Sequence, residues 1–181
     1  MRLFVALELP QPVRGALAAW AAVAAPEAMR RVPAENLHVT LAFLGARAPE
    51  DVPTVAGLIG RLARPIGELV VDGALWLPPR RPGVLAIALR AGPALGELHA
   101  ELVEELVEAI GFDRERRALR PHVTVARARR DARVHRAELR PGPPALAFDP
   151  GALTLFRSHT GPRGSRYEPL ARAGVETAPG G

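Results

Sequence analysis

The sequence predicts a mixed fold of strands and helices built as two similar β-α-β halves related by a pseudo-twofold axis. Strands with a polar pair on one side and apolar residues on the other fit the lining of a groove. Three observations lead there. A strand, a helix and a second strand carrying His-x-Thr occur twice in the same order. The first copy is residues 3–9, a helix, then Asn36-Leu37-His38-Val39-Thr40-Leu41; the second is residues 84–89, a helix, then Arg120-Pro121-His122-Val123-Thr124-Val125. The spacing is also similar, 35 residues from Leu3 to His38 and 38 from Val84 to His122, as a duplicated unit requires. Finally, 181 residues with 48% apolar content are enough for one core, so residues 1–181 are expected to form one bilobal domain.

The elements follow from local pattern. Residues 3–9 (Leu-Phe-Val-Ala-Leu-Glu-Leu) read as a strand. Pro10 and Pro12 end it and open a helix to about Ala24. Pro26 and Pro33 bound a loop, and residues 37–43 are a second strand closed by Gly45. Glu50 and Asp51 place negative charge at the start of a helix reaching Leu62. Residues 69–77 and 84–89 are strands around the turn Pro78-Pro79-Arg80-Arg81-Pro82-Gly83. A long helix over 93–110 carries Leu95, Leu98, Leu102, Leu106 and Ile110 on one stripe, with Gly111 as its C-terminal cap. Residues 122–126 form a fifth strand, and Asp131 to Leu139 a short helix. Phe148 and residues 153–156 are strand-like; Thr160-Gly161-Pro162-Arg163-Gly164 turns the chain back through residues 166–170, and residues 174–181 form a loose tail.

Composition excludes several chemistries. All 24 basic side chains are arginine, so lysyl-nucleotidyl intermediates, Schiff bases and a P-loop lysine are impossible. There is no cysteine, which removes thiolate catalysis, disulfides and cysteine-ligated zinc. Only Ser158 and Ser165 are serines, and no G-x-S-x-G is present. The charge is local. Residues 114–140 hold ten arginines against Glu115, Asp131 and Glu138, a net +7, while the rest of the chain nets −2. Such a concentration suits a polyanion met at one place; a solvated arginine-rich face is the alternative. The longest apolar run, residues 15–26, is far short of the roughly 20 residues that cross a bilayer. The expectation is a soluble, cytoplasmic monomer without membrane contact.

The chemistry rests on His38-Val39-Thr40 and His122-Val123-Thr124. Side chains two apart on a strand share a face, so each histidine points with its threonine while the valine points into the core. Two imidazoles across a groove can serve as general acid and general base, and two threonine hydroxyls can donate to phosphoryl oxygens. In-line displacement at phosphorus then needs no cofactor and no metal. His38 and His122 offer two metal ligands, but no third stands at a recognisable spacing. His99 and His135 read as exposed, and His159 has no evident role.

This ordered pattern resembles the two-histidine phosphoesterase superfamily, and within it the 2′-5′ RNA ligase (RNA 2′,3′-cyclic phosphodiesterase) family. The resemblance is carried by Met1-Arg2-Leu3-Phe4-Val5-Ala6-Leu7-Glu8-Leu9-Pro10, by Glu35-Asn36-Leu37-His38-Val39-Thr40-Leu41-x-Phe43-Leu44-Gly45, by Pro121-His122-Val123-Thr124-Val125-Ala126-Arg127 and by Leu155-Phe156-Arg157-Ser158 with Tyr167-Glu168-x-Leu170. It implies an α+β fold of two pseudo-symmetric lobes, each an antiparallel or mixed sheet with helices on its outer face, a basic groove between the lobes, and hydrolysis of a terminal RNA 2′,3′-cyclic phosphate to a 2′-phosphomonoester. His38 would be the proton donor and His122 the acceptor, with Thr40 and Thr124 on the phosphate; the residues alone leave the two roles interchangeable. Ala42 stands where relatives often carry lysine, and Arg127 or Arg157 can restore that charge by bidentate contact with phosphate. ATP-independent 2′-5′ ligation would be the reverse reaction. Two other readings are a phosphodiesterase acting on a small cyclic nucleotide or a 2′-5′ oligonucleotide, and a non-catalytic RNA-binding module.

Overall fold

The computed structural model describes residues 1–79, 82–114, 117–130, 132–136, 138–161 and 164–175. Arg80 and Arg81 of the expected turn, Asp131 of the expected helix, Pro162 and Arg163 of the expected hairpin turn, and residues 176–181 lie outside them.

Among the described residues, nine strands form one sheet and three α-helices cover it: β1 (Arg2–Glu8), α1 (Gln11–Ala24), β2 (Met29–Arg31), β3 (His38–Ala46), α2 (Asp51–Leu62), β4 (Leu69–Leu77), β5 (Val84–Ala91), α3 (Pro93–Ile110), β6 (His122–Ala128), β7 (Ala147–Phe148), β8 (Ala152–Gly161) and β9 (Gly164–Gly174). The strand order is β7-β4-β5-β6-β3-β1-β8-β9, with β2 added on β6. Every pairing is antiparallel.

Read from its centre, this order is symmetric. β3 and β6 are neighbours, β1 and β5 flank them, and β8 and β4 lie next outward. The duplicated units therefore form two four-strand halves. They meet at one registered pair, Val39 with Val123, both fully buried. A junction one pair long lets the two halves splay, and the splay is the groove.

Alternation along the strands separates the faces. Leu3, Val5 and Leu7 of β1 enter the core under the helices. There they meet Val13, Leu17 and Trp20 of α1, Val55, Leu58 and Ile59 of α2, and the predicted leucine stripe of α3. Gly111 ends α3 at φ 59°, ψ 42°, and its N–H reaches back to the last turn. That left-handed conformation disfavours any side chain with a Cβ.

Three sequence expectations are corrected. Residues 26–33 are not merely a loop, because Met29–Arg31 pairs with β6; three residues are too few to show a period. Among the described residues of 131–139 no helix forms. Val134 and Leu139 pack against the core, and their five-residue spacing suits no helical stripe. Residues 174 and 175 are not loose: Gly174 pairs with Ala152 and Val175 is buried.

Candidate active site

The register at the junction dictates the site. With Val39 opposite Val123, one step either way sets His38 near Thr124 and Thr40 near His122, all on the face away from the core. These four side chains line one cleft of about 190 Å³, together with Asn36, Phe43, Arg127 and Tyr167.

Each histidine is oriented by the same local device. The Nδ1–H of His38 donates to the Asn36 carbonyl and that of His122 to the Arg120 carbonyl, both at 2.7 Å and both two residues back. A carbonyl only accepts, so Nδ1 carries a proton in both rings and Nε2 is left to exchange protons in the cleft. Asn36 is itself anchored, its side-chain amide donating to the Ser165 carbonyl at 2.8 Å on β9.

The two histidines differ in surroundings. His38 is walled by rings: Phe4 at 4.9 Å, Tyr167 edge-on at 5.2 Å and Phe156 at 6.2 Å between centroids. These rings shield much of the imidazole from water, and desolvation by burial pulls the His38 pKa down to about 4. The Nδ1 bond to Asn36 opposes that shift, while the charges of Arg127 and His122 add to it. In the free protein His38 is therefore neutral at pH 7.

After each His-x-Thr the pairing slips. The register of β3 against β1 jumps from Thr40 to Ala42, and that of β6 against β5 from Thr124 to Ala126. The bulge inserts one residue and re-aims the side chains beyond it. Phe43 and Arg127 thereby share the cleft with the histidines, while Ala42 and Ala126 are buried. Ala42 lies on the core side of this kink, and Arg127 supplies cationic charge at the cleft.

Arg157 is not among the residues that line this cleft. It sits opposite Leu3 on β1 and opposite Glu168 on β9, on the face opposite to that of Phe156. His159 lies on that outer face too. It bonds Glu168 at 2.6 Å, and this contact holds the Glu168 carboxyl below its ordinary range. His135 is exposed, whereas His99 is half-buried and lines a cavity beside Phe43. Sequence reasoning does not find the aromatic wall of Phe4, Phe156 and Tyr167. The period-2 positions of Phe4, Ala6 and Glu8 are its only signal.

A sheet hinged between two His-x-Thr strands, with both imidazoles in one cleft, is the arrangement of a two-histidine phosphoesterase. The chain belongs to the 2′-5′ RNA ligase superfamily, whose sequence model matches residues 9–162. It is 32% identical over 175 residues to the RNA 2′,3′-cyclic phosphodiesterase of Escherichia coli, with 94% of each chain covered. A crystal structure from Thermus thermophilus superposes with a TM-score of 0.82 at 30% identity, covering 98% of this chain and 100% of that one. Escherichia coli LigT crystallised with 3′-AMP gives 0.79 at 31% identity, covering 97% and 98%.

Proposed function

We propose that the protein is an RNA 2′,3′-cyclic phosphodiesterase that opens a terminal cyclic phosphate to a 2′-phosphomonoester. The observation that carries this reading is the pair of imidazoles in one cleft, each with Nδ1 committed to a backbone carbonyl. Such a pair can take a proton from water and deliver one to a leaving oxygen without a covalent intermediate. The Escherichia coli and Thermus thermophilus relatives, both RNA 2′,3′-cyclic phosphodiesterases, support the substrate class.

In this reading His122 accepts the proton of the attacking water, and the P–O3′ bond breaks as His38 protonates the departing 3′-oxygen. Thr40 and Thr124 donate to the non-bridging oxygens, and Arg127 offsets the charge that builds on them. His38 is neutral before substrate arrives, so it takes its proton up with the phosphate, whose negative charge counters the desolvation. Solvent then restores both protonation states. When a 5′-hydroxyl replaces water, the same groups open the ring at the same P–O3′ bond, His122 taking the hydroxyl proton and His38 protonating the 3′-oxygen, and the product is a 2′-5′ linkage.

The test is turnover of an oligoribonucleotide ending in a 2′,3′-cyclic phosphate by wild type, His38→Ala and His122→Ala, with binding followed in parallel. Loss of turnover by about 10²-fold or more in each variant, with binding retained, supports the reading. Full turnover in either variant overturns it.

A further inference from the structure

The pseudo-twofold axis relates Phe43 to Arg127: each follows its His-x-Thr by three residues, beyond the same bulge. The symmetry of the cleft is thus broken by an aromatic ring at one end and a guanidinium at the other. Beyond each end the surfaces diverge further. Past Phe43, which is 58% exposed, lies a cavity of about 290 Å³ that shares Thr40, Phe43 and His122 with the cleft. Its floor is apolar, built from Leu41, Ala42, Val103 and Phe112. Arg114, Arg117 and Arg120 rim it along with Glu104, so it is not without charge.

Past Arg127 the recess is only about 90 Å³ and has Arg30 and Arg31 on its wall. β2 places Arg30 directly opposite Arg127 on β6. Like charges facing across a strand pair are destabilising. Among the described residues no acidic side chain forms an ion pair with Arg30, Arg31, Arg127 or Arg129. Glu27 lies farther along, in a more open recess of about 470 Å³ shared with Arg30, Arg31 and Arg129. A cross-strand arginine pair without an acidic partner is a concentration of positive charge suited to a polyanion.

We infer that the broken symmetry fixes the direction of the RNA. The base of the terminal nucleotide stacks on Phe43 and enters the apolar cavity, and the preceding phosphodiesters run over Arg127 and Arg30 along β2. The apolar-floored cavity suits a planar base, and the open, arginine-lined surface suits a backbone. The inference rests on the proposed activity and specifies how its substrate lies.

The experiment compares adenosine 2′,3′-cyclic phosphate with a pentanucleotide carrying the same cyclic end. Wild type, Phe43→Ala and Arg30→Gln are assayed on both. Each mutated side chain is exposed, so melting temperatures should stay close to wild type, with any change in Arg30→Gln upward as its repulsion with Arg127 is relieved. Phe43→Ala should lower kcat/KM on both substrates by a similar factor, about tenfold. Arg30→Gln should lower it on the pentanucleotide alone and reduce the slope of log KM against log salt by about 0.7. The opposite pattern, with Phe43→Ala affecting only the pentanucleotide or Arg30→Gln affecting both substrates equally or neither, overturns the inference while leaving the activity intact. Inactivity of wild type on both substrates removes the activity and the inference together.

Discussion

Burial of His38 should be measurable as a pH dependence of stability. The folded protein holds this pKa at about 4 against an ordinary value of 6.5. Between those values the unfolded chain binds a proton that the folded one does not, so stability falls as the pH drops from about 6.5 to about 4. Above and below that window this group contributes no slope. The interval is about 2.5 pH units, and at about 1.4 kcal/mol per unit the full loss comes to about 3.5 kcal/mol, of which about 3 kcal/mol falls between pH 7 and pH 4 because the folded group is half-titrated at pH 4. The perturbation is His38→Gln, which removes the titrating group while filling similar space. Urea unfolding of both proteins at pH 7, 6, 5 and 4 gives the readout. Exposed carboxylates such as Glu101 and Glu168, whose pKa values partners hold low, also weaken the fold in acid, but equally in both proteins. The stability advantage of wild type over the variant should therefore shrink by about 3 kcal/mol from pH 7 to pH 4. A difference that stays constant across this range would refute the claim that the aromatic wall keeps His38 neutral.

Other expectations rest on the same structure. Tyr167→Ala opens one side of the wall and should move the His38 pKa, read by NMR titration, upward toward 6.5. Binding of inorganic phosphate at pH 7 should take up protons, seen as a buffer-dependent calorimetric enthalpy; no uptake would transfer the donor role from His38 to His122. Leu102→Ala, at a fully buried position of α3, should cost about 2–5 kcal/mol in urea unfolding. Gly111→Ala meets open space but a φ of 59°, so its cost should be about 1–2 kcal/mol from the backbone alone.

Most of the fold is legible in the sequence because its two periods are strong. The strands of residues 3–9, 37–43 and 84–89 and the α3 stripe fall within a few residues of β1, β3, β5 and α3. The duplicated His-x-Thr locates the hinge of the sheet, since Val39 and Val123 are the residues that pair there. The features that escape are tertiary. A three-residue strand such as β2 acquires its identity only by pairing with β6. The bulges after Thr40 and Thr124 break period 2 without a glycine to announce them. Arg157 is misplaced from sequence for a simple reason: from Phe156 onward, alternation assigns every second side chain to the outer face, and nothing local says which set faces the cleft. Five arginines of the 114–140 cluster, together in sequence, stand at two separate places in space. Arg114, Arg117 and Arg120 stand at one end of the cleft; Arg127 and Arg129 stand at the other, where Arg30 and Arg31 join them.

The arginine-only composition now has a sharper meaning. With no lysine to adenylate, any joining reaction must start from an end that is already activated, as a cyclic phosphate is. The most direct test of the proposed chemistry is therefore incubation of a 2′,3′-cyclic-phosphate oligoribonucleotide with EDTA-treated protein, with the product identified by ³¹P NMR. Conversion to the 2′-phosphomonoester is the expected result. A 3′-phosphomonoester, or no product at all, would contradict it.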